Sequence, residues 1–436
     1  MSLKNYYNQI QEIRETSSTN DKIDKLRNFM EDEVFVQILQ FAYSEKYQYG
    51  IQKMSKFNKT FFTSTVEQLF DFLRTLSEQR GTSDADKMKL AQLASIDKKT
   101  YQLVGMIVQK DLKAGFSGKS INKAVPDTIF VAPYMRCSTT KQIDRIEYPA
   151  IVQEKADGVF VNFLLDDLEF RTRNWKKVHQ LEHLFELFKT KHFQARGINN
   201  TVFHGELLVK KDDEILDRKT GNGIINSCLN GTADPEDAKC VIFVVWDCVT
   251  KKGFFDGKCS IPYEARVKHA KRTVKLVGSK QFRFIETKIV NDYAEAQKFY
   301  KKMRAEGKEG AVLKNKLVEW KSHTSPEQIK LKNEEEAELK IVGWKTGKKG
   351  TKYENFLGAI TCESECGELN VSVGSGFSDE LRKQDWDNFL GRIVTVAFES
   401  VIKDKNSKKP SLFLPRFKSL RSDRDIADTL EEIQKR

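Results

Sequence analysis

The sequence predicts three domains in succession: an all-α domain, a mixed α+β domain and a small all-β barrel. Apolar residues in the first third recur at helical spacing. From Pro149 onward short β-type runs alternate with helical stretches, which is typical of an α+β domain. Beyond residue 340 the runs are short and closely spaced, with glycine-rich turns such as 373–376, a pattern typical of a barrel. The 436 residues suffice for about two to four domains.

In the helical region, apolar residues share one helical face in three stretches. The second stretch begins with the capping-box pair Thr65 and Gln68, and the third is predicted to continue to Gly115. The stretches cover residues 23–41, 66–76 and 101–108.

The mixed domain and the barrel are predicted from runs of β-type residues. Residues 332–340, with an acidic centre, are predicted to be a hinge between them. The predicted strands of the mixed domain are 150–153, 159–165, 201–209, 241–247 and 311–314, with helices at 178–189 and 292–306. The predicted strands of the barrel are 339–343, 358–362, 368–373 and 393–399.

Composition excludes several classes of protein. The longest apolar run, around 241–245, is far shorter than the roughly 20 residues that span a bilayer, and residues 1–16 do not resemble a signal peptide. The 7 cysteines form no CxxC pair, which favours a reducing compartment without disulfides or structural zinc. The 74 basic and 62 acidic residues give a net charge of +12, which favours a polyanionic partner, although ordinary solubility charge explains it equally well.

The most informative short segment runs from Glu154 to Gly158 and contains Lys155 and Asp157. It is predicted to be a turn between two strands, where glycine permits a tight bend. A lysine attacks only as the neutral amine, so a nucleophilic lysine needs nearby cations or desolvation. Taken alone, the segment also fits an ordinary surface turn.

Further charged residues recur near glycines or at the ends of predicted strands. Glu206 lies inside a strand-like run, and Glu309 precedes a run that ends at Lys314. Two carboxylates together with several cations suit a site for Mg²⁺ and a triphosphate, because phosphoryl transfer depends on positioning and charge neutralisation. The remaining charged positions of this kind are Lys330, Lys332, Arg421 and Asp423.

In this order and spacing, these segments resemble the ATP-dependent DNA ligases of the covalent nucleotidyltransferase superfamily, with the nearest likeness to the ligases of T-even bacteriophages. The resemblance extends over nearly the whole chain. It also rests on the segments 37–43, 111–115, 218–232, 245–247, 338–343 and 363–367.

The resemblance implies a role for each matching residue. Lys155 would attack the α-phosphate of ATP and hold AMP, with Asp157 near the metal waters and the attacking 3′-hydroxyl. Arg173 would contact the nucleotide and the nick phosphate, and Trp246 would stack on adenine. Glu206 and Glu309 would bind a ribose hydroxyl and a divalent metal. The remaining implied contacts are Glu154 in the ATP site, Lys314, Lys330 and Lys332 at the phosphates, and Arg421 and Asp423 at the leaving pyrophosphate.

Some of these positions have a structural explanation as well. Trp246 lies in a very apolar run and fits core packing equally well, and Lys314 could be a solvated strand end. Arg266 also matches a family pattern, but a structural role is expected for it.

The chain departs from the family pattern at four points. Phe160 stands where many members have arginine, which leaves that sugar or phosphate contact unassigned. His204 replaces an aspartate, which affects the support of Glu206. Gln328–Ile329 replaces an aromatic residue before the paired lysines, and Arg424 replaces a terminal lysine.

The resemblance implies a helical DNA-binding domain (1–130), an adenylyltransferase domain (131–333) and an OB-fold domain (334–436). These domains would form a monomer that encircles nicked duplex DNA and uses ATP with Mg²⁺ or Mn²⁺, without a membrane partner. The likeness also suggests the cytoplasm of a phage-infected bacterium. The basic loops 345–352 and 403–409 are expected to touch DNA phosphates or simply to be solvated.

Two other classes of function remain open. RNA ligases and mRNA-capping guanylyltransferases share the lysine motif, although the long helical region and the Arg-x-Asp-Arg ending favour a DNA ligase. A non-catalytic DNA-binding protein with a helical domain and an OB barrel would form no covalent adenylate.

Overall fold

The chain divides into two compact units, Met1–Leu331 and Lys332–Arg436. This computed structural model describes residues 2–58, 64–79, 81–189, 199–331, 335–349, 351–398, 400–403 and 409–435. None of the helices within these ranges is both long and apolar enough to cross a membrane.

The first unit begins with helices, and among the described residues no strand precedes Arg136. Side-chain caps define several of the helix starts. Thr65 Oγ1 accepts a hydrogen bond from Gln68 N at 3.1 Å, and Gln68 Oε1 accepts one from Thr65 N at 3.0 Å, which confirms the predicted capping box. The helices are α1 (Leu3–Glu15), α2 (Thr19–Phe29), α3 (Glu33–Tyr43), α4 (Val66–Glu78), α5 (Asp84–Ala94), α6 (Lys98–Val108) and α7 (Gly118–Ala124).

The predicted extension of the third helical stretch to Gly115 is wrong, because α6 ends at Val108. Lys110 and Lys113 adopt left-handed backbone conformations, with φ of 61° and 57°. The Lys110 ammonium also donates to Ser44 O at 2.7 Å, which ties this turn to the end of α3. The helix therefore ends together with the apolar stretch, and the segment that continues to Gly115 is not helical.

The α+β part of the first unit contains two main sheets. Its elements are β1 (Arg136–Ser138), β2 (Ala150–Lys155), β3 (Val159–Leu164), β4 (Glu169–Thr172), α8 (Glu182–Glu186), β5 (Thr201–Lys211), β6 (Glu214–Ile215), α9 (Arg218–Asn230), α10 (Pro235–Lys239), β7 (Val241–Thr250), α11 (Lys251–Phe255), β8 (Lys258–Cys259), α12 (Tyr263–Val277), β9 (Phe282–Phe284), β10 (Thr287–Val290), α13 (Tyr293–Ala305), β11 (Gly310–Asn315), β12 (Trp320–Lys321) and β13 (Thr324–Leu331). One sheet has the order β1-β13-β11-β2-β10, and the other has the order β4-β3-β5-β7-β9 with β6 paired to β5.

All five strands predicted for this domain form, with ends shifted by a few residues. The helix predicted at 292–306 is α13, capped by Asp292, whose Oδ1 accepts from Glu295 N at 2.8 Å. Of the helix predicted at 178–189, only α8 forms. Its first part is not helical because Val178 N donates a hydrogen bond to Phe170 O on β4 and Gln180 has a left-handed backbone, with φ of 57°. Helices α9 and α12 were not predicted.

The second unit is built on an antiparallel sheet with the order β16-β15-β14-β17-β20. Its elements are β14 (Glu335–Thr346), β15 (Leu357–Glu363), β16 (Asn370–Val373), α14 (Asp379–Arg382), β17 (Ile393–Phe398), β18 (Ser400–Lys403), β19 (Pro410–Phe413), β20 (Arg416–Arg421) and α15 (Leu430–Gln434). The predicted hinge at 332–340 is wrong for its second part: 335–340 lie in β14, paired residue by residue with β17, and 332–334 fall outside the described residues.

Candidate active site

Lys155 lies where the chain passes from one sheet of the first unit to the other. It is the last residue of β2, and residues 156–158 connect it to β3 in the second sheet. A Cβ atom on Gly158 would lie 2.3 Å from Leu207 O, so only glycine fits beside β5. The predicted turn after Lys155 is confirmed. It places Lys155 at the junction of the two sheets.

The Lys155 ammonium is ion-paired with the Glu309 carboxylate. The pairing follows from strand register, because Gly310, the first residue of β11, lies opposite Lys155. The side chains of Lys155 and Glu309 are only 20% and 15% exposed. An ion pair so shielded from water is electrostatically stronger than a surface pair.

Glu206 approaches the same turn from the second sheet. It lies opposite Phe160 in the β3–β5 ladder, and its Oε2 accepts a hydrogen bond from Gly158 N at 2.6 Å. Burial raises the pKa of the Glu206 carboxyl to about 7, although Lys155 and the Gly158 N–H favour its ionised form. Glu206 is thus a carboxylate that ionises near neutrality beside Lys155.

A cleft that is partly open to solvent adjoins the Lys155–Glu309 pair and Glu206. Trp246 is half-buried and lines the cleft, so its ring is available for stacking and is not confined to the core. The predicted site residues that line the cleft are Glu154, Lys155, Glu206, Trp246, Lys314 and Lys330.

Lys314 is 4% exposed, so the alternative interpretation of a solvated strand end is wrong. Its Nζ donates to Tyr263 Oη at 2.9 Å and lies 4.5 Å from the centre of that ring. Burial lowers the pKa of Lys314 to about 8, and the nearby Asp247 carboxylate opposes that shift. A buried cation at the cleft wall is a ready partner for an anionic ligand.

Asp247 and Arg266 form a buried ion pair behind the cleft. Arg266 Nε lies 2.9 Å from Asp247 Oδ1, and Nη2 lies 3.2 Å from Oδ2. The Arg266 side chain is 2% exposed and the Asp247 side chain is 7% exposed. Arg266 Nη1 also donates a hydrogen bond to Val318 O at 3.0 Å. These contacts agree with the expected structural role of Arg266.

Three predicted residues of the first unit, Glu309, Asp157 and Arg173, lie beside the cleft and do not line it. Glu309 contacts the lining residue Lys155. Asp157 forms an ion pair with Arg218, the first residue of α9, at 3.0 Å between Oδ1 and Nη1. Arg173 follows β4, and its guanidinium lies 4.5 Å from the ring centre of Tyr134, which does line the cleft.

The three departures from the family pattern in the first unit, Phe160, His204 and Gln328–Ile329, each place a residue at the cleft wall. The Phe160 ring lies between Tyr134 and Trp246, with centroid distances of 4.8 Å and 5.8 Å. His204 stacks on Trp320 at 5.4 Å, and its Nδ1 lies 2.9 Å from Asn162 Oδ1. Burial lowers the pKa of His204 to about 4, so the imidazole is neutral at pH 7.

The remaining positions singled out in the sequence lie in the second unit or outside the described residues, except for Gln328, which lies in the first unit. Lys332 falls outside the described residues. In the second unit, Arg421 holds Asp423 by two hydrogen bonds of 2.8 Å and donates to Glu338 Oε1 at 2.7 Å. Arg424 is paired with Asp428 at 2.8 Å. Gln328 lines the cleft, and its Nε2 donates to Met135 O at 3.4 Å.

The described residues contain no group of three or more His, Cys, Asp or Glu side chains that could hold a metal ion by itself. Glu206 and Glu309 nevertheless offer carboxylate oxygens near Lys155. Mg²⁺ commonly takes one or two carboxylates together with substrate phosphates, so the donor set fits a metal that arrives with a nucleotide.

Sequence reasoning missed several residues that shape the site. Gln153, two residues before Lys155 on β2, lines the cleft and donates from Nε2 to Trp246 O at 3.3 Å. Strand alternation from Lys155 would have indicated it. The contacts of Tyr134 and Arg218 are tertiary, and no spacing in the sequence indicates them.

Comparison with known proteins agrees with this geometry. The chain matches the family models "ATP dependent DNA ligase domain" over residues 130–332 and "DNA ligase OB-like domain" over residues 348–421. The DNA ligase of Enterobacteria phage T4 is 30% identical over an alignment of 481 positions that covers 97% of each chain. The DNA ligase of Enterobacteria phage T6 is 29% identical over an alignment of 477 positions, again covering 97% of each chain.

The fold is also similar to the solved structure named Pmar-Lig_PreS3, which has a TM-score of 0.73 and 21% identity and covers 95% of this chain and 99% of that one. The α+β part of the first unit is thus a nucleotidyltransferase domain, and the second unit contains an OB-like fold. With phage ligases aligned over nearly its full length, the chain belongs to the ATP-dependent DNA ligase family.

Proposed function

We propose that this protein seals nicks between a 5′-phosphate and a 3′-hydroxyl in duplex DNA through AMP bound covalently to Lys155. The observation that carries the proposal is the shielded ion pair between Lys155 and Glu309, at a cleft whose wall includes Trp246, Lys314 and Lys330. This is the arrangement that an adenine, a triphosphate and an attacking amine require.

In the first step the Lys155 amine attacks the α-phosphorus of ATP. An N–P bond forms, the bond from the α-phosphorus to the bridging oxygen breaks, and pyrophosphate leaves with that electron pair. Glu309 is placed to accept the proton that the Lys155 ammonium must lose. Arg421 and Asp423, which are paired in the second unit, would orient the pyrophosphate.

The second and third steps use the nicked DNA. An oxygen of the 5′-phosphate attacks the phosphorus of the lysyl adenylate, the N–P bond breaks and Lys155 regains a proton. The 3′-hydroxyl oxygen then attacks the 5′-phosphorus, and AMP leaves as the strand is joined. Arg173 would contact the nick phosphate, and Asp157 would lie near the attacking hydroxyl.

Glu206 and Glu309 would hold Mg²⁺, or Mn²⁺, together with the phosphates of ATP. The metal would neutralise phosphate charge and so favour attack on phosphorus. Glu206 would also bind a ribose hydroxyl. The remaining cations near the triphosphate would be Lys314, Lys330 and Lys332.

The domain roles form part of the same proposal. Residues 1–130 would bind DNA, residues 131–333 would carry out adenylylation, and residues 334–436 would form the OB-fold domain. Together they would encircle nicked duplex DNA as a monomer, without reading its sequence. The exposed lysines Lys345, Lys348 and Lys349 are available for phosphate contacts. The phage relatives suggest the cytoplasm of an infected bacterium as the place of action.

The test is retention of label on the denatured protein after incubation with Mg²⁺ and α-labelled ATP, GTP or NAD⁺. We expect label from ATP alone, and none in Lys155→Ala. Label from GTP alone would identify a capping-type enzyme, and no label from any nucleotide would support a binding protein. Nicked duplex DNA and nicked RNA offered side by side test the substrate, because preference for RNA would contradict this assignment.

A further inference from the structure

The guanidinium of Arg173 is held by an aromatic ring. It lies 4.5 Å from the ring centre of Tyr134, and the Arg173 residue is exposed. Within the described ranges, no hydrogen bond or ion pair engages the Arg173 guanidinium. A ring face attracts a cation through its quadrupole and leaves the N–H donors unused. A carboxylate partner would instead occupy the donors that a phosphate needs.

Tyr134 itself is fixed by its surroundings. Its backbone N donates to Ser322 Oγ at 3.1 Å, and the edge of its ring contacts Phe160 at a centroid distance of 4.8 Å. Two residues earlier, Ala132 N donates to Glu45 Oε2 at 2.6 Å. The ring therefore has little freedom to follow a moving guanidinium, and it sets the position of Arg173.

The helical region also contacts the segment that contains Arg173. Gln48 Nε2 donates to Asn174 O at 3.3 Å, so the residue after Arg173 is bound to the segment that follows α3. The Glu45 carboxylate is also near enough to attract Arg173 electrostatically. Arg173 is thus positioned by three groups, of which only the Tyr134 ring contacts its guanidinium.

We propose that Tyr134 is a positioning residue that orients Arg173 toward the phosphate of the nick and leaves its N–H donors free to bind that phosphate. The inference rests on the proposed ligase reaction. Tyr134 also contacts Phe160 in the wall of the nucleotide cleft, so one ring links the cleft wall to the arginine outside it.

The experiment separates AMP transfer from adenylylation. The protein is first loaded with AMP, freed of ATP and mixed with nicked duplex DNA, and the single-turnover rate of DNA-adenylate formation is measured. Loss of a cation–π contact at an exposed arginine corresponds to at most about a fivefold slower step. We expect that loss in Tyr134→Leu, and a rate near that of the wild type in Tyr134→Phe, which keeps the ring.

A matched control and a double variant isolate the arginine. Phe255→Leu removes ring–ring contacts outside the cleft and keeps the ring beneath Arg173, so AMP transfer from preloaded protein should stay near the wild-type rate. In an Arg173→Leu background, Tyr134→Leu should slow AMP transfer by no more than about twofold further, because the residue it positions is absent. Tyr134→Met, which has a flexible apolar side chain, replaces Tyr134→Leu if that variant does not fold.

Two results would overturn the inference: a wild-type rate of AMP transfer in Tyr134→Leu, or an equal loss in the presence and absence of Arg173. Failure of the underlying ligase assignment would look different, since the wild type would then take no label from ATP.

Discussion

The ammonium of Lys155 and the carboxylate of Glu309 are paired because β2 and β11 are neighbours in register. The two residues are 154 positions apart in the sequence, and both are mostly shielded from water. The pair gives the amine a proton acceptor, and it also stabilises the charged form that cannot attack. In the proposed adenylylation, the Lys155 ammonium must therefore lose a proton before its nitrogen can attack phosphorus.

Glu309→Gln should therefore slow adenylylation by about 100-fold or more, the scale of a lost general base. The amide keeps the size of the side chain but cannot accept the proton as a carboxylate does. The rate is measured as single-turnover label transfer from α-labelled ATP. Glu319→Gln, a neutralisation at a partly exposed glutamate paired with Lys321, is the control and should leave the rate unchanged. A wild-type rate in Glu309→Gln would remove Glu309 from the proton pathway.

ATP affinity should depend on the ionisation of Lys314. Its pKa is lowered to about 8 by burial, so above pH 8 the free protein carries a neutral amine there. Bound phosphates favour the ammonium, so binding should weaken as pH rises from 8 to 9.5 and should be accompanied by proton uptake. Calorimetry with the unreactive analogue α,β-methylene ATP, in buffers of different ionisation enthalpy, measures both effects. The loss of affinity above pH 8 and the proton uptake should both be absent in Lys314→Met. Proton uptake that persists in this variant would show that Lys314 is not the group that takes up the proton.

The parts of the fold that could be predicted are those specified by local sequence. The capping box at Thr65 and the apolar run that became β7 are local signals, and both correspond to elements of the structure. Helix α9 was missed because its first turns contain glycines, which disfavour helix. Asp217 caps its start and left-handed Gly231 ends it, which are local signals, and the burial of Ile225 adds contacts that the local sequence does not show.

The site could be predicted where a sequence motif indicates both the chemical role of a residue and its place in the fold. Lys155, Glu206, Lys314 and Lys330 were named from sequence, and all of them line the cleft. Tyr134 was not, because its role comes from ring contacts with Phe160 and Arg173 that exist only in three dimensions. The family motifs also carried the assignment of ATP and DNA, since charge and spacing alone left the nucleic acid open.

Arg266→Met should destabilise the first unit without a direct role in chemistry. The substitution leaves the buried Asp247 carboxylate without its partner, and a broken buried pair typically costs about 3–5 kcal/mol. Denaturant-induced unfolding measures the free energy of unfolding of each variant. Lys252→Met, which breaks an exposed pair with Asp256, should change stability by less than about 0.5 kcal/mol. Equal effects of the two substitutions would mean that the Asp247–Arg266 pair is not a structural anchor.

Phe160 should contribute to ATP binding through packing and not through the chemical step. An adenine on Trp246 and an α-phosphate at Lys155 place the ribose between them, where Phe160 lies opposite Glu206. An apolar ring contacts the ground state and the transition state alike, so its loss is expected in KM and not in kcat.

Phe160→Ala should raise the KM for ATP about tenfold in adenylylation, the effect of losing part of one buried aromatic contact, with kcat nearly unchanged. The single-turnover rate of adenylate formation, measured across ATP concentrations, gives the half-saturating ATP concentration and the maximal rate, which stand for KM and kcat of this step. Phe255→Ala, which truncates a ring that is 44% exposed and does not line the cleft, should leave both unchanged. A fall in kcat at constant KM would instead show that the ring positions the reacting groups.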